Sequence, residues 1–164
     1  MIKITTCYKN IWKTEKSYQK RIIFENDGFI VFVPFFAELK YQTFLFPKRH
    51  YSHILEMNPD ETKLFAAAIH HITCRYDNLY QMNFPNILML HNMPPGSGAE
   101  KYFHFHVEFY PPLRSPTMQK YMAGFESGGG NIVNPSDPDQ SAQELQNCPD
   151  IHYTVAEKSI KGTA

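Results

Sequence analysis

Two short apolar runs, Arg21-Ile22-Ile23-Phe24-Glu25-Asn26 and Phe29-Ile30-Val31-Phe32-Val33, flank Asp27-Gly28. β-Branched and aromatic residues on both sides of a DG turn predict a β-hairpin that ends at Pro34. A third run, Tyr41-Gln42-Thr43-Phe44-Leu45-Phe46, stops at Pro47-Lys48-Arg49-His50. The period then changes. Leu64, Ala67, Ala68, Ile69, Ile72, Tyr76 and Leu79 recur at three- and four-residue spacing, the mark of one buried helix face. Asn58 or Asp60 can cap this helix, Pro59 suits its first turn, and Glu61 complements its dipole. Two further strands are predicted, Asn86 to His91 and Tyr102 to Tyr110. Their connector, Asn92-Met93-Pro94-Pro95-Gly96-Ser97-Gly98, is a loop by composition.

The flanks are less regular. Residues 1–20 interleave Lys3, Lys9, Lys13, Lys16 and Lys20 with aromatics and read as a linker or an amphipathic helix. After Pro111-Pro112 the pattern becomes irregular. Gly128-Gly129-Gly130 marks a flexible break, Asp137 to Gln146 predicts a short helix capped by Ser136 or Asp137, and Cys148 to Ala164 has little periodicity. The sum is an α+β domain over residues 21–147, with a lead-in over 1–20 and a tail over 148–164. Its antiparallel sheet of about five strands carries one long helix.

Composition narrows the classes. The chain has 164 residues, 43% of them hydrophobic and 15% aromatic, enough for a real core. Sixteen basic residues balance sixteen acidic ones. Gripping a nucleic-acid backbone needs a basic surplus, and there is none. Cys7, Cys74 and Cys148 are odd in number and far apart, which fits a reducing compartment better than a disulfide scaffold. No stretch approaches the ~20 apolar residues of a membrane span. A cytoplasmic protein, binding neither nucleic acid nor membrane, is expected.

His104 and His106 stand two apart in an aromatic run, and His91 ends the preceding predicted strand. On a strand, residues i and i+2 share a face. If the two strands pair, three imidazoles converge, a donor set that suits zinc or iron(II). Glu108 continues the row but lies ~13 Å from His104 at a strand's rise. That suits a hydrogen bond to a ligand histidine better than a share in the ion. His50 and His53 read as a polar strand end, and His70 and His71 as structural.

The run Tyr102-Phe103-His104-Phe105-His106-Val107-Glu108-Phe109-Tyr110-Pro111-Pro112-Leu113-Arg114-Ser115, followed by Lys120-Tyr121-Met122-Ala123-Gly124-Phe125-Glu126, resembles the galactose-1-phosphate uridylyltransferases. Within that family it is similar to the C-terminal half, the second of two histidine-triad (HIT) repeats. Phe24-Glu25-Asn26, Val33-Pro34-Phe35, Phe46-Pro47-Lys48-Arg49-His50 and Arg75-Tyr76-Asp77-Asn78-Leu79-Tyr80 before Phe84-Pro85 agree, so the resemblance spans about residues 21–147. It implies a HIT-like fold and UMP transfer from UDP-glucose to galactose 1-phosphate through a uridylylated histidine. The family's nucleophile lies in a His-Pro-His motif of the first repeat. This chain has no His-Pro-His.

The resemblance further implies His91, His104 and His106 as ligands of one structural zinc or iron, with a fourth, a glutamate, from the first half. It implies a hexose-contacting loop of Lys120, Tyr121, Ala123, Gly124, Phe125 and Glu126 that reaches a neighbour's site. UDP-hexose and hexose 1-phosphate would be the ligands, and a homodimer or a complementing N-terminal half the partner. Phe125 departs from the Tyr of many members, and Gly128-Gly129-Gly130-Asn131 is closer to one bacterial branch.

Three other readings compete. A free-standing HIT-like nucleotide-binding or hydrolytic protein would need the pattern His-φ-His-φ-His for catalysis, and Glu108 occupies the third position. A cupin barrel would need a Glu where Tyr110 and Pro111 stand. A non-catalytic interaction subunit would present an apolar, association-prone face.

Overall fold

The computed structural model describes residues 7–161; the expectations for residues 1–6 and 162–164 lie outside it. Chain order is α1 (Cys7–Tyr18), β1 (Ile22–Glu25), β2 (Phe29–Phe32), β3 (Thr43–Pro47), α2 (Pro59–Tyr80), β4 (Ile87–His91) and β5 (His106–Tyr110). There follow β6 (Leu113–Ser115), β7 (Met118–Gln119), α3 (Gly124–Gly129), α4 (Pro138–Gln146) and α5 (Tyr153–Lys161). Five strands form one antiparallel sheet in the order β1-β2-β3-β5-β4, and β6 and β7 make a separate small hairpin. The α+β reading holds.

The β1–β2 turn is fixed locally. The Asn26 side chain accepts hydrogen bonds from the backbone N–H groups of Gly28 and Phe29, at 3.0 and 2.8 Å. The start of α2 is equally explicit. Asn58 is the N-cap and takes the N–H groups of Asp60 and Glu61, while Glu61 reaches back to the Asn58 N–H at 3.0 Å. This capping box satisfies donors that an open helix end would leave to water.

Alternation divides the sheet. Phe29, Val31, Leu45, Val107 and Phe109 point to the α2 side and join one buried core with Phe65, Ala68, Ile72 and Tyr76. Phe65 takes the inward position that the helical spacing had assigned to Ala67, which is exposed. On the other face Ile30, Phe32, Phe44 and Phe46 form a smaller cluster, covered by Ile11 and Trp12 of α1. The lead-in is therefore helical over its described part. Glu15 of α1 is buried and ion-paired to Arg21 at 2.9 Å.

Three segments differ from expectation. The strand predicted from Tyr102 begins only at His106, because residues 102–105 arrive as turn and coil from the Pro/Gly loop. Gly128 and Gly129 do not break the chain; they end α3, and Gly130 closes it in the left-handed region at φ 67°. The stretch after Asn147 folds back onto α2. Buried Arg75 donates to the carbonyls of Leu145, Gln146 and Cys148 and pairs with Asp150 at 2.6 Å. Asn78 donates to the carbonyls of Pro149 and Ile151.

Candidate metal centre and adjoining loop

The chemistry lies on the thinly covered face. In the β4–β5 register His91 sits opposite His106, so their side chains share that face with Phe44, Phe46 and Glu108. The two imidazoles stack, ring centres 4.6 Å apart and planes 7° from parallel, and Phe46 stacks on His106 from the other side at 4.9 Å. Ligand atoms of His91, His106 and Glu108 all lie within 4.8 Å of one another, a set able to hold a metal ion.

Hydrogen bonds fix how His106 presents itself. Its Nδ1 meets the His104 carbonyl at 2.8 Å, and since a carbonyl only accepts, Nδ1 carries the proton. In the neutral ring Nε2 then holds a lone pair, yet it faces the Glu108 carboxylate at 3.2 Å. Two acceptors at that distance repel unless a cation sits with them. The His91 Nε2 adds to the requirement. It is buried, has no hydrogen-bond partner, and lies 3.5 Å from the same Glu108 oxygen. Burial and the neighbouring His106 push the His91 imidazole below its ordinary pKa, with Glu108 opposing. Burial works to raise the Glu108 carboxyl. The close contacts of His106 and the Tyr110 hydroxyl, with His91 nearby, outweigh it and leave the carboxyl low. An ionised carboxylate beside two imidazoles is a donor set of metal-ligand type.

His104 stands differently from the sequence expectation. It precedes β5, so the alternation that would align it with His106 does not operate there. Its Nε2 donates to the Pro47 carbonyl at 2.9 Å, and its ring meets His50 edge-on at 5.2 Å. Glu108, placed too far away when measured from His104, falls within the group because His106 and His91 define its centre.

The Lys120–Glu126 segment follows β7. Lys120 Nζ and Glu126 Oε1 pair at 2.6 Å with side chains only 5% and 3% exposed. Lys120 also donates to the Val133 carbonyl, and Glu126 accepts the N–H groups of Ala123 and Val133 at 2.7 and 3.0 Å. These bonds, the Ala123 N–H first and then the Lys120 ammonium, hold the Glu126 carboxyl down at about 2. Tyr121 and Phe125 point outward, 81% and 57% exposed, with Gly124 between them. The ion pair is a brace for the loop, and the aromatic rings are its free surface.

A sequence model of "Galactose-1-phosphate uridyl transferase, C-terminal domain" matches residues 3–157. The chain belongs to this family. A galactose-1-phosphate uridylyltransferase of Thermotoga maritima is 36% identical over 133 residues, covering 80% of this chain but 42% of the relative. A solved uridylyltransferase structure superposes with a TM-score of 0.75 at 28% identity, over 85% of this chain and 43% of the other. A histidine triad nucleotide-binding protein from Sulfolobus tokodaii shares the HIT-like fold, with a TM-score of 0.55 at 14% identity and 87% of its length covered. The chain thus corresponds to the C-terminal domain of a uridylyltransferase, and spans about two-fifths of the curated relatives it matches.

No helix among the described residues is long and apolar enough to cross a membrane. Sequence reasoning missed the Lys120–Glu126 brace as an internal lock, since a Lys and a Glu six apart announce no contact. It also missed the exposed edge strand β4, where Ile87, Leu88, Met89 and Leu90 are 61%, 36%, 46% and 43% exposed.

Proposed function

We propose that this chain acts as the C-terminal part of a UDP-glucose–hexose-1-phosphate uridylyltransferase. It supplies a structural metal centre and a substrate-contacting loop, while the His-Pro-His nucleophile is supplied from outside these residues. The observation that carries the reading is the convergence of His91, His106 and Glu108 on one face of a uridylyltransferase C-terminal sheet. Zinc or iron(II) suits this donor set. His91 and His106 would hold the ion, and either Glu108 or His104 would be the third donor, through the Nδ1 left unprotonated by the bond to Pro47. The bound ion would tie the outer strand β4 to β5. It takes no part in group transfer.

The loop reading rests on Tyr121 and Phe125. Exposed rings beside Gly124 give an apolar platform of the kind that stacks on a sugar, and Phe125, lacking a hydroxyl, offers contact without a hydrogen bond. The Lys120–Glu126 brace keeps that platform in place. The partner surface is β4: four consecutive exposed apolar residues on an unpaired sheet edge are a template for association. A complementing N-terminal half, or a second copy, would cover it.

The test uses the purified chain. Metal analysis should find about one zinc or iron per chain, and incubation with UDP-glucose and galactose 1-phosphate should give no UDP-galactose. Turnover by the chain alone would overturn the missing-nucleophile reading, and a metal-free protein after exposure to zinc and iron(II) would overturn the centre. Comparing Glu108→Gln with His104→Ala decides the third donor, because only the true ligand's loss should empty the site.

A further inference from the structure

A cleft of about 280 Å³ opens where Pro111-Pro112 lead into β6, against the first turns of α4. Lys40, Arg114 and Lys120 line it, with Gln140 and Ser141 of α4, and no carboxylate does. Two of the cations are already matched: Lys40 lies 3.2 Å from Glu144, and Lys120 is held by Glu126. Arg114 enters no ion pair among the described residues, and its Nε is buried without a hydrogen-bond partner. Ser141 is 1% exposed, and its Oγ is likewise buried and unpartnered. The acidic residues at the start of α4 are engaged elsewhere. Asp139 binds Arg21 and Tyr18, both at 2.7 Å, and Asp137 caps the helix through the Asp139 N–H.

Buried polar atoms are nearly always hydrogen-bonded, so two exceptions on the walls of one cationic cleft call for one account. A multi-oxygen anion meets both needs: it accepts from a hydroxyl and a guanidinium together, and it offsets the unmatched charge of Arg114. Guanidinium recognises phosphate through its planar fork of donors, more specifically than an ammonium. A neutral acceptor would satisfy the hydrogen bonds and leave the charge.

We propose that this cleft binds a small phosphate-class anion, either inorganic phosphate or the phosphoryl group of a phosphomonoester, on Arg114 and Ser141 with Lys40 at its edge. The site is separate from the histidine cluster and does not depend on the reading given above. Lys120 borders it but is committed to Glu126.

Calorimetric titration of the purified chain with inorganic phosphate should show binding near the millimolar range. Arg114→Gln should weaken it about ten-fold, with Arg114→Lys retaining part of the affinity. Ser141→Ala is the sharper probe. Removing an unpartnered buried hydroxyl should leave the phosphate-free Tm unchanged or higher, yet weaken phosphate binding about three-fold. Phosphate should also raise the Tm of the native chain and not that of Arg114→Gln. A parallel titration with glucose 1-phosphate identifies the source: equal affinity points to the free anion, tighter binding to the ester. Absence of binding to the native chain, or equal affinity in the native, Arg114→Gln and Ser141→Ala proteins, would overturn the proposal. Metal content should be unchanged throughout, so the failure of this site and of the metal centre are told apart.

Discussion

The two faces of the sheet are made by the same strands, yet they differ in how completely they are closed. Toward α2, Phe29, Val31, Leu45, Val107 and Phe109 are all fully buried, and the Tyr76 hydroxyl donates to the Tyr41 carbonyl at 2.7 Å. Toward α1, Phe44 and Phe46 of β3 give way to His106 and Glu108 of the neighbouring β5, and beyond them β4 lies exposed. One residue of displacement along β5 exchanges an apolar anchor for a candidate ligand. Stability and chemistry can thus be assigned to alternate residues of one strand, and a substitution on one face should leave the other's property largely intact.

The largest effect should come from the closed face. Phe109→Ala removes a side chain with no exposure from the sheet–helix core, so urea unfolding should show a loss of about 3–5 kcal/mol. Metal affinity of the surviving folded fraction should change little. A loss below about 1 kcal/mol would show that this face is looser than its burial implies.

Arg75 tests whether the segment after α4 belongs to the same closed unit. Arg75→Met keeps the stem but strips the donor from three carbonyls and the charge partner from Asp150. A cost of about 2–3 kcal/mol is expected, with faster amide exchange confined first to residues near 145–155. Uniform acceleration across the sheet would mean that α4 and the tail fold as one unit with it.

On the open face the balance should invert. His91→Ala should change metal-free stability by less than about 1 kcal/mol, because the ring is partly exposed and its Nε2 makes no hydrogen bond. Metal binding should be abolished. If His91→Ala destabilised the metal-free chain as much as Phe109→Ala does, the division of labour between faces would be wrong.

How much of this could be read from the residues follows the same division. The hairpin around Asp27-Gly28, the capped helix from Asn58 and the short helix after Asp137 were legible because their signals are local: an Asx turn, a capping box and an N-cap. So were His91 and His106, from strand alternation. His104 was misassigned to the strand because its neighbours Phe103 and Phe105 are as β-prone as those of His106. The Pro/Gly loop's geometry, not propensity, decides where pairing starts. Glu108 was therefore measured from His104, whereas its carboxylate lies beside His106 and His91. The segment after α4 and its Arg75 anchor were unreadable, since the contacts joining them span 70 to 75 residues. Arg114 and Ser141 carry no sequence signal at all; only the fold brings them to one cleft.

The loop after β7 gives the smallest effect and a case between the two faces, a polar pair buried as firmly as the core. Glu126 sits at about 2 against an ordinary 4.5 because the folded loop favours its charged form. The sign follows from a lowered folded-state value. The contribution is complete above the ordinary carboxyl range and is lost as pH falls through the folded value of about 2. Carboxyl-carbon NMR should therefore show Glu126 ionised well below the pH at which exposed glutamates protonate, with Tyr121 and Phe125 resonances constant until it titrates. Lys120→Met should raise the Glu126 value only part of the way, since the Ala123 N–H is the stronger hold and remains. A return to 4.5 in that variant would make the ammonium, and not the backbone of the loop, the group that fixes the platform.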